Sequence, residues 1–256
     1  MDIFALKLIL APLIIGSASL AGRKWGPAVS GWIVGMPLTS GPVIFFVALS
    51  HDAAFAANAA LGVISGGLSL VSYALTYAWL ATKFRWPIAL GGSFLVFATS
   101  TTLLQNFTFP LWPIFLVMVS AIVLGLVLMP REDVEPTHAQ PGPWDIPMRI
   151  FIGTSFILLL TGIAPLIGSR LTGLLTTIPL YVTILAVFAH RHQGAAAAHV
   201  LRGLLYGMFA FAGFFIVLSL LIERTSLGAA FGSAILTALL VQGCTLLILR
   251  KGHRPS

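Results

Sequence analysis

Gly35-Met36-Pro37-Leu38-Thr39-Ser40-Gly41-Pro42 lies inside an apolar run from about 29 to 49. A run of that length is sized to cross a bilayer as a helix. This one cannot do so unbroken. Proline offers no N–H to the preceding turn and disfavours helical geometry at the residue before it. A helix through Pro37 and Pro42 is therefore kinked or broken, which frees backbone amides and carbonyls at mid-depth. In lipid such groups persist only where protein or a water-lined cavity surrounds them. A second copy stands far downstream, as Thr176-Thr177-Ile178-Pro179-Leu180-Tyr181-Val182-Thr183. Proline-interrupted apolar segments in matching places of two halves are the best sequence pointer to a transporter's site.

The composition around these stretches sets the class. The 256 residues are 58% hydrophobic and 8% charged, with a mean hydropathy of +1.02. A soluble domain carries about 25% charged residues. The chain reads as an all-α polytopic membrane protein. Its net charge of +7 does not point to nucleic acid, because Lys and Arg lie in short connections between apolar runs. Cys244 is the single cysteine, which leaves no disulfide within the chain and no multi-cysteine metal site. It reads as a small buried apolar residue. The first segment ends in Ser17-Ala18-Ser19-Leu20-Ala21, which has the look of a signal-peptide cleavage region. Its start is acidic at Asp2, however, and the basic Arg23 and Lys24 follow it, so an uncleaved first helix is expected.

About nine transmembrane helices are expected, near 3–21, 29–49, 54–82, 87–105, 110–129, 148–168, 171–190, 195–222 and 227–249. The third and eighth are long enough to tilt or bend. Gly62 and Gly66 in one, and Gly203 and Gly207 in the other, suit close helix packing. With nine spans, one side collects Arg23, Lys24, Lys83, Arg85, Arg131, Arg149, Arg191, Arg250, Lys251 and Arg254. The other holds Arg170 and Arg224, with Lys7 near the outer end of the first span. This bias places the N-terminus outside and the C-terminus in the cytoplasm. The stretch 130–147, rich in charge and proline, reads as an irregular cytoplasmic linker.

The two halves resemble each other beyond the prolines. Pro37-Leu38 matches Pro179-Leu180, and His51 matches His192. Gly62 matches Gly203, Gly66 matches Gly207, and Gly92-Ser93 matches Gly232-Ser233. Spans one to four map on six to nine, and the fifth is left over. One extra crossing turns the second unit upside down, giving an inverted-topology 4+1+4 repeat with proline-broken helices two and seven. The expected divisions are 1–105 for the first repeat, 106–147 for the reversing helix and linker, and 148–256 for the second, inverted repeat.

Gly26-Pro27 followed by Gly35-Met36-Pro37-Leu38-Thr39-Ser40-Gly41-Pro42 resembles a group of small bacterial integral membrane proteins with no assigned chemistry. The architecture more distantly resembles compact inverted-repeat secondary transporters. The resemblance implies a bacterial inner-membrane setting and says nothing about the substrate.

The candidate site follows from the breaks. Pro37, Pro42 and Pro179 are the hinges. Thr39, Ser40, Tyr181 and Thr183 follow them. A half-helix starting at each proline points free amides and a positive dipole end at the space between, which favours an anionic ligand. The hydroxyls could equally satisfy freed carbonyls. His199 and Arg202 share a helix face at i, i+3, and Asn58 occupies the equivalent place in the first repeat. These three are taken as a polar group flanking the breaks, against the alternative that Arg202 snorkels to the surface and His199 caps or packs. No Asp or Glu stands near the middle of a span, which argues against a carboxylate-driven cation pump. Sodium held by freed carbonyls beside Thr39, Ser40, Thr177 or Thr183 stays open. His51, His190 and His192 match no metal signature, so no metal and no cofactor are expected. Ser65 has Val63 where a rhomboid-type Gly-x-Ser-Gly needs glycine, and no phosphate loop is present, so the chain does not read as an enzyme.

The expected function is membrane transport of a small polar or anionic solute by alternating access between the broken helices. A non-transporting membrane subunit or scaffold is the rival, followed by an intramembrane enzyme. The expected partners are the lipid bilayer and a small-molecule substrate. Nucleic acid is not among them, and a homo-oligomer is left open.

Overall fold

The computed structural model describes residues 3–22, 32–130 and 145–251, which are helical and contain no strand. The helices are α1 (Ile3–Gly22), α2 (Ser40–Ser50), α3 (Ala53–Ala81), α4 (Trp86–Leu104), α5 (Leu111–Leu128), α6 (Asp145–Ile167), α7 (Ser169–Leu175), α8 (Leu180–His192), α9 (Gly194–Leu221) and α10 (Leu227–Lys251). Residues 32–34 form a further helical turn ahead of α2. Seven segments are long and apolar enough to cross a membrane: α3, α4, α5, α6, the α7–α8 pair, α9 and α10. The apolar parts of α1 and α2, Ala5–Ser17 and Ser40–Ser50, are shorter. The chain is thus a multi-pass helical membrane protein. Arg23, Lys24, Gly26-Pro27 and most of the 130–147 linker lie outside the described residues.

The helix ends are set locally. Asp52 caps α3, its carboxylate accepting from the Phe55 amide at 2.7 Å, which satisfies a donor the helix leaves open. Pro87 sits in the first turn of α4, where its missing N–H costs nothing. Between α6 and α7 the chain turns at Gly168, whose φ of +81° is open to glycine at little cost. Pro42 behaves differently from the expectation. It is the third residue of α2 and is buried there, inside a first turn that needs no proline N–H. The break lies over residues 35–39, at Pro37.

α3 and α9 are the core. Both are buried along most of their length, and they pack against each other. α4 lies on α3, α10 lies on α9, and α5 touches both central helices. α1 packs on α6 at the flank. Glycine permits the tightest crossings. A Cβ at Gly35 would fall 2.5 Å from the Leu204 carbonyl oxygen and 2.7 Å from the Gly207 Cα. In the other half, a Cβ on Gly62 would meet the Arg170 carbonyl, and one on Gly173 the Ala59 carbonyl. Between apolar helices in lipid, this close approach supplies the dispersion energy that burial from water cannot. α10 turns Gln242 and Thr245 inward and leaves Cys244 outward, so the cysteine is exposed rather than buried.

Candidate functional site at the two helix breaks

The two breaks share one backbone pattern. In the first, the Met36 amide donates to the Ile33 carbonyl, Leu38 to Met36 and Gly41 to Pro37, at 3.0, 2.8 and 3.0 Å. In the second, Ile178 donates to Leu175, Leu180 to Ile178 and Thr183 to Pro179, at 3.1, 2.8 and 3.0 Å. What each break leaves open also corresponds. Among the described residues, the amides of Thr39 and Ser40, and of Tyr181 and Val182, enter no backbone hydrogen bond. These lie at the starts of α2 and α8, where an α-helix leaves amides it cannot satisfy from within.

The open groups meet. A cavity of about 40 Å³ is lined by Gly35, Met36, Thr39 and Ser40 from one break and by Thr176 through Val182 from the other. Leu70, Leu204 and Phe211 of the two central helices also line it. Such a volume accommodates a few waters or a small ion. Two helix N-termini therefore face one space, and each N-terminus favours an anion. Thr176 and Thr177 bond back to the Gly173 and Leu174 carbonyls, both at 2.7 Å, so their hydroxyls satisfy the end of α7. The corresponding end of the first break is met from α10: the Gln242 side-chain amide donates to the Trp32 carbonyl at 3.1 Å, and the Trp32 indole donates to Thr245 at 3.0 Å.

The expected site residues divide. Thr39, Ser40 and Tyr181 line the cavity. Thr183 sits just beyond it, 2.7 Å from the Tyr73 hydroxyl. Pro37 and Pro179 are at the breaks. Asn58, His199 and Arg202 do not line the cavity. Asn58 is exposed near the start of α3, and His199 is half-buried near the start of α9. Arg202 reaches the C-terminal end of α5, donating to the Met129, Pro130 and Leu126 carbonyls at 3.1, 3.2 and 3.4 Å. Cations there complement the carbonyls that end a helix.

Two other cations, Arg149 and Lys7, lie on the flanking helices α6 and α1 and do not line the cavity. Arg149, counted with the loop charges in the sequence, is 6% exposed on α6 and acts electrostatically on the Tyr181 hydroxyl. That hydroxyl is buried with no hydrogen-bond partner among the described residues, in space left by Gly153. Lys7 on α1 donates to Thr161 of α6 at 2.9 Å and lies 5.7 Å from the Phe46 ring centroid, within reach of a cation–π attraction. One sequence signal marks the pair: Lys7 stands thirty residues before Pro37, and Arg149 thirty before Pro179.

A second cavity, of about 430 Å³, lies beyond Met36 and Pro37, walled by Leu10, Ile14, Phe45, Phe214 and Phe231. Its lining is apolar throughout. No family model, curated protein or solved structure matches this chain.

Proposed function

We propose that the protein is a membrane transporter that moves a small anionic or polar solute between the two helix breaks. The observation that carries the reading is that the four residues with open amides, at two half-helix N-termini, line one small cavity. Each helix end contributes about 0.3–1 kcal/mol toward an anion, and up to about 2 kcal/mol where water is excluded. Lys7 and Arg149 extend the same preference toward the two ends of the bundle. The paired hydrogen-bond patterns support an inverted 4+1+4 repeat, as do the matched glycine crossings and α5 lying across both central helices. In that arrangement one repeat rocks against the other and opens the cavity to each side in turn. The Lys and Arg bias sets the N-terminus outside and the C-terminus in the cytoplasm of a bacterial inner membrane.

The test uses reconstituted vesicles and counterflow of a panel of chloride, nitrate, formate and glycolate. At least one member is expected to exchange. In a Cys244→Ser background, Ser40→Cys is expected to react with a membrane-impermeant thiol reagent, and the same anion is expected to slow the reaction. A panel that fails to exchange, together with a Ser40→Cys that stays unreactive from both sides, would leave a closed scaffold in place of a transporter.

A further inference from the structure

The polar groups beside the second break do not end at Thr183. Its hydroxyl is 2.7 Å from that of Tyr73, which is fully buried on α3. One turn further along α3 stands Tyr77, also fully buried, with ring centroids 6.0 Å apart. The Tyr77 hydroxyl is 3.4 Å from Nδ1 of His190 on α8, and Nε2 of that imidazole is 3.1 Å from the Phe84 carbonyl oxygen. Phe84 lies in the turn between α3 and α4, which ends the bundle on the side of Lys83 and Arg85. Two polar pairs, Thr183 with Tyr73 just beyond the cavity and Tyr77 with His190 at the rim of the bundle, thus stand one turn apart along α3.

Among the described residues the first break has no counterpart to these pairs. Tyr73 stands seven residues after Gly66, and Phe214 seven after Gly207. Thr183 stands four after Pro179, and Gly41 four after Pro37. Phe214 lies against Gly41, as Tyr73 lies against Thr183, yet that pair borders the apolar cavity. Tyr77 and His190 correspond to Leu218 and Ala48 by the same spacing. Packing alone is met by the apolar version, so the polar version calls for a different cause.

We propose that Thr183, Tyr73, Tyr77 and His190 form a proton path between the cavity and the rim at Phe84, and that it couples solute movement to protons. The proposal rests on the transport reading above and names its coupling ion. The Phe84 carbonyl can only accept, so Nε2 carries the proton of the neutral imidazole and Nδ1 accepts from the Tyr77 hydroxyl. The imidazole turns so that Nδ1 takes a proton from water at the rim, and on turning back Nδ1–H gives that proton to the Tyr77 oxygen as the Tyr77 hydroxyl gives its own proton onward. The next step, between the phenols of Tyr77 and Tyr73, requires a water to enter between them. Only O–H and N–H bonds form and break: one proton leaves water at the rim, and one arrives at the cavity. Histidine is the side chain suited to this near neutral pH, and it supplies a proton handle in a chain with no carboxylate at mid-span.

The charged and titratable groups around His190 are few. α3 presents Tyr77, the turn carries Lys83 and Arg85, and α8 itself carries Arg191 and His192. The first turn of α9 packs Gly194 and four alanines there, with His199 further along. α4 contributes no titratable group beyond Arg85 at its cap. Arg149 of α6 faces α8 at the other end, by Tyr181.

The experiment loads vesicles with a pH-sensitive dye and imposes a potassium diffusion potential with valinomycin. Proton entry is then compared for wild type, Tyr73→Phe, Thr183→Val and His190→Gln, each checked for a monodisperse profile in detergent. Wild type is expected to admit protons well above protein-free vesicles. Tyr73→Phe and His190→Gln should each lower that flux at least tenfold, and His190→Gln should also remove its pH dependence across the imidazole range. If Tyr73→Phe is not monodisperse, Thr183→Val takes its place. Wild-type flux at the protein-free level, or variants that conduct like wild type, overturns the path. Counterflow of the anion panel, measured in the same wild-type vesicles, separates the two readings: exchange without proton flux leaves the transporter and removes the coupling, and absence of both removes both.

Discussion

Tyr181 lines the cavity, and its hydroxyl is buried against Gly153 near Arg149, without a hydrogen-bond partner among the described residues. An unsatisfied buried hydroxyl costs about 1–3 kcal/mol. Tyr181→Phe removes that cost, so its melting temperature in detergent is expected to equal or exceed that of wild type. If the hydroxyl orients the solute, the same variant binds the exchanging anion several-fold more weakly, which isothermal titration reads while a thermal scan of the same preparation reads the melting temperature. Arg202 gives the opposite pattern. Its guanidinium closes the end of α5 through three carbonyls, and hydrogen bonds to a charged group contribute about 1.5–3 kcal/mol. Arg202→Ala is expected to lower the melting temperature and leave anion exchange per folded molecule unchanged. A selective loss of exchange would return Arg202 to the solute path.

At the scale of elements, the breaks hold their shape because glycine lets each half-helix sit against the opposite central helix. Gly207 meets the Trp32 carbonyl and the Gly35 Cα, while nothing lies within 4 Å of a Cβ added at Gly232 or Gly91. Gly207→Val is expected to destabilise by about 1–3 kcal/mol or more through overpacking, and to be recovered poorly as folded protein. Gly232→Ala is expected to be neutral or to stabilise by about 0.5–1 kcal/mol, since alanine restricts the chain and suits a helix interior. Fluorescence-detected size exclusion after a heat step compares the two. Equal tolerance at both positions would show that the crossing at Gly35 and Gly207 is looser than it stands here.

For the whole molecule, the proposed topology makes a plain demand. Reporter fusions at Pro136 and at Ser256 are both expected to read cytoplasmic, because the Lys and Arg excess lies on that side. A periplasmic signal at either position would break the 4+1+4 arrangement, since it requires an even number of crossings between them. The asymmetry between the halves belongs to this scale too. One break is lined outward by phenylalanine around an apolar cavity, and the other by tyrosine, threonine and histidine. A transporter whose two gates have diverged in this way can differ in what each gate senses.

Composition was enough to determine the helical membrane class, and the non-helical stretches 35–39 and 176–179 stand at Pro37 and Pro179, whereas Pro12 and Pro165 lie inside continuous helices. The class follows from local physics: a chain this apolar must satisfy its backbone within helices. Thr39, Ser40 and Tyr181 were legible because the chain itself ties them to the breaks. Arg202, Asn58, His199, Arg149 and Cys244 were not. Whether such a residue faces a cavity, a neighbouring helix end or the outside depends on how its helix is rotated about its axis. That rotation is set by packing between segments remote in sequence, such as Gly35 against Gly207 and Gly62 against Gly173. The tertiary structure alone turned Arg149 inward, sent Arg202 to the end of α5 and brought two sets of open amides to one small space.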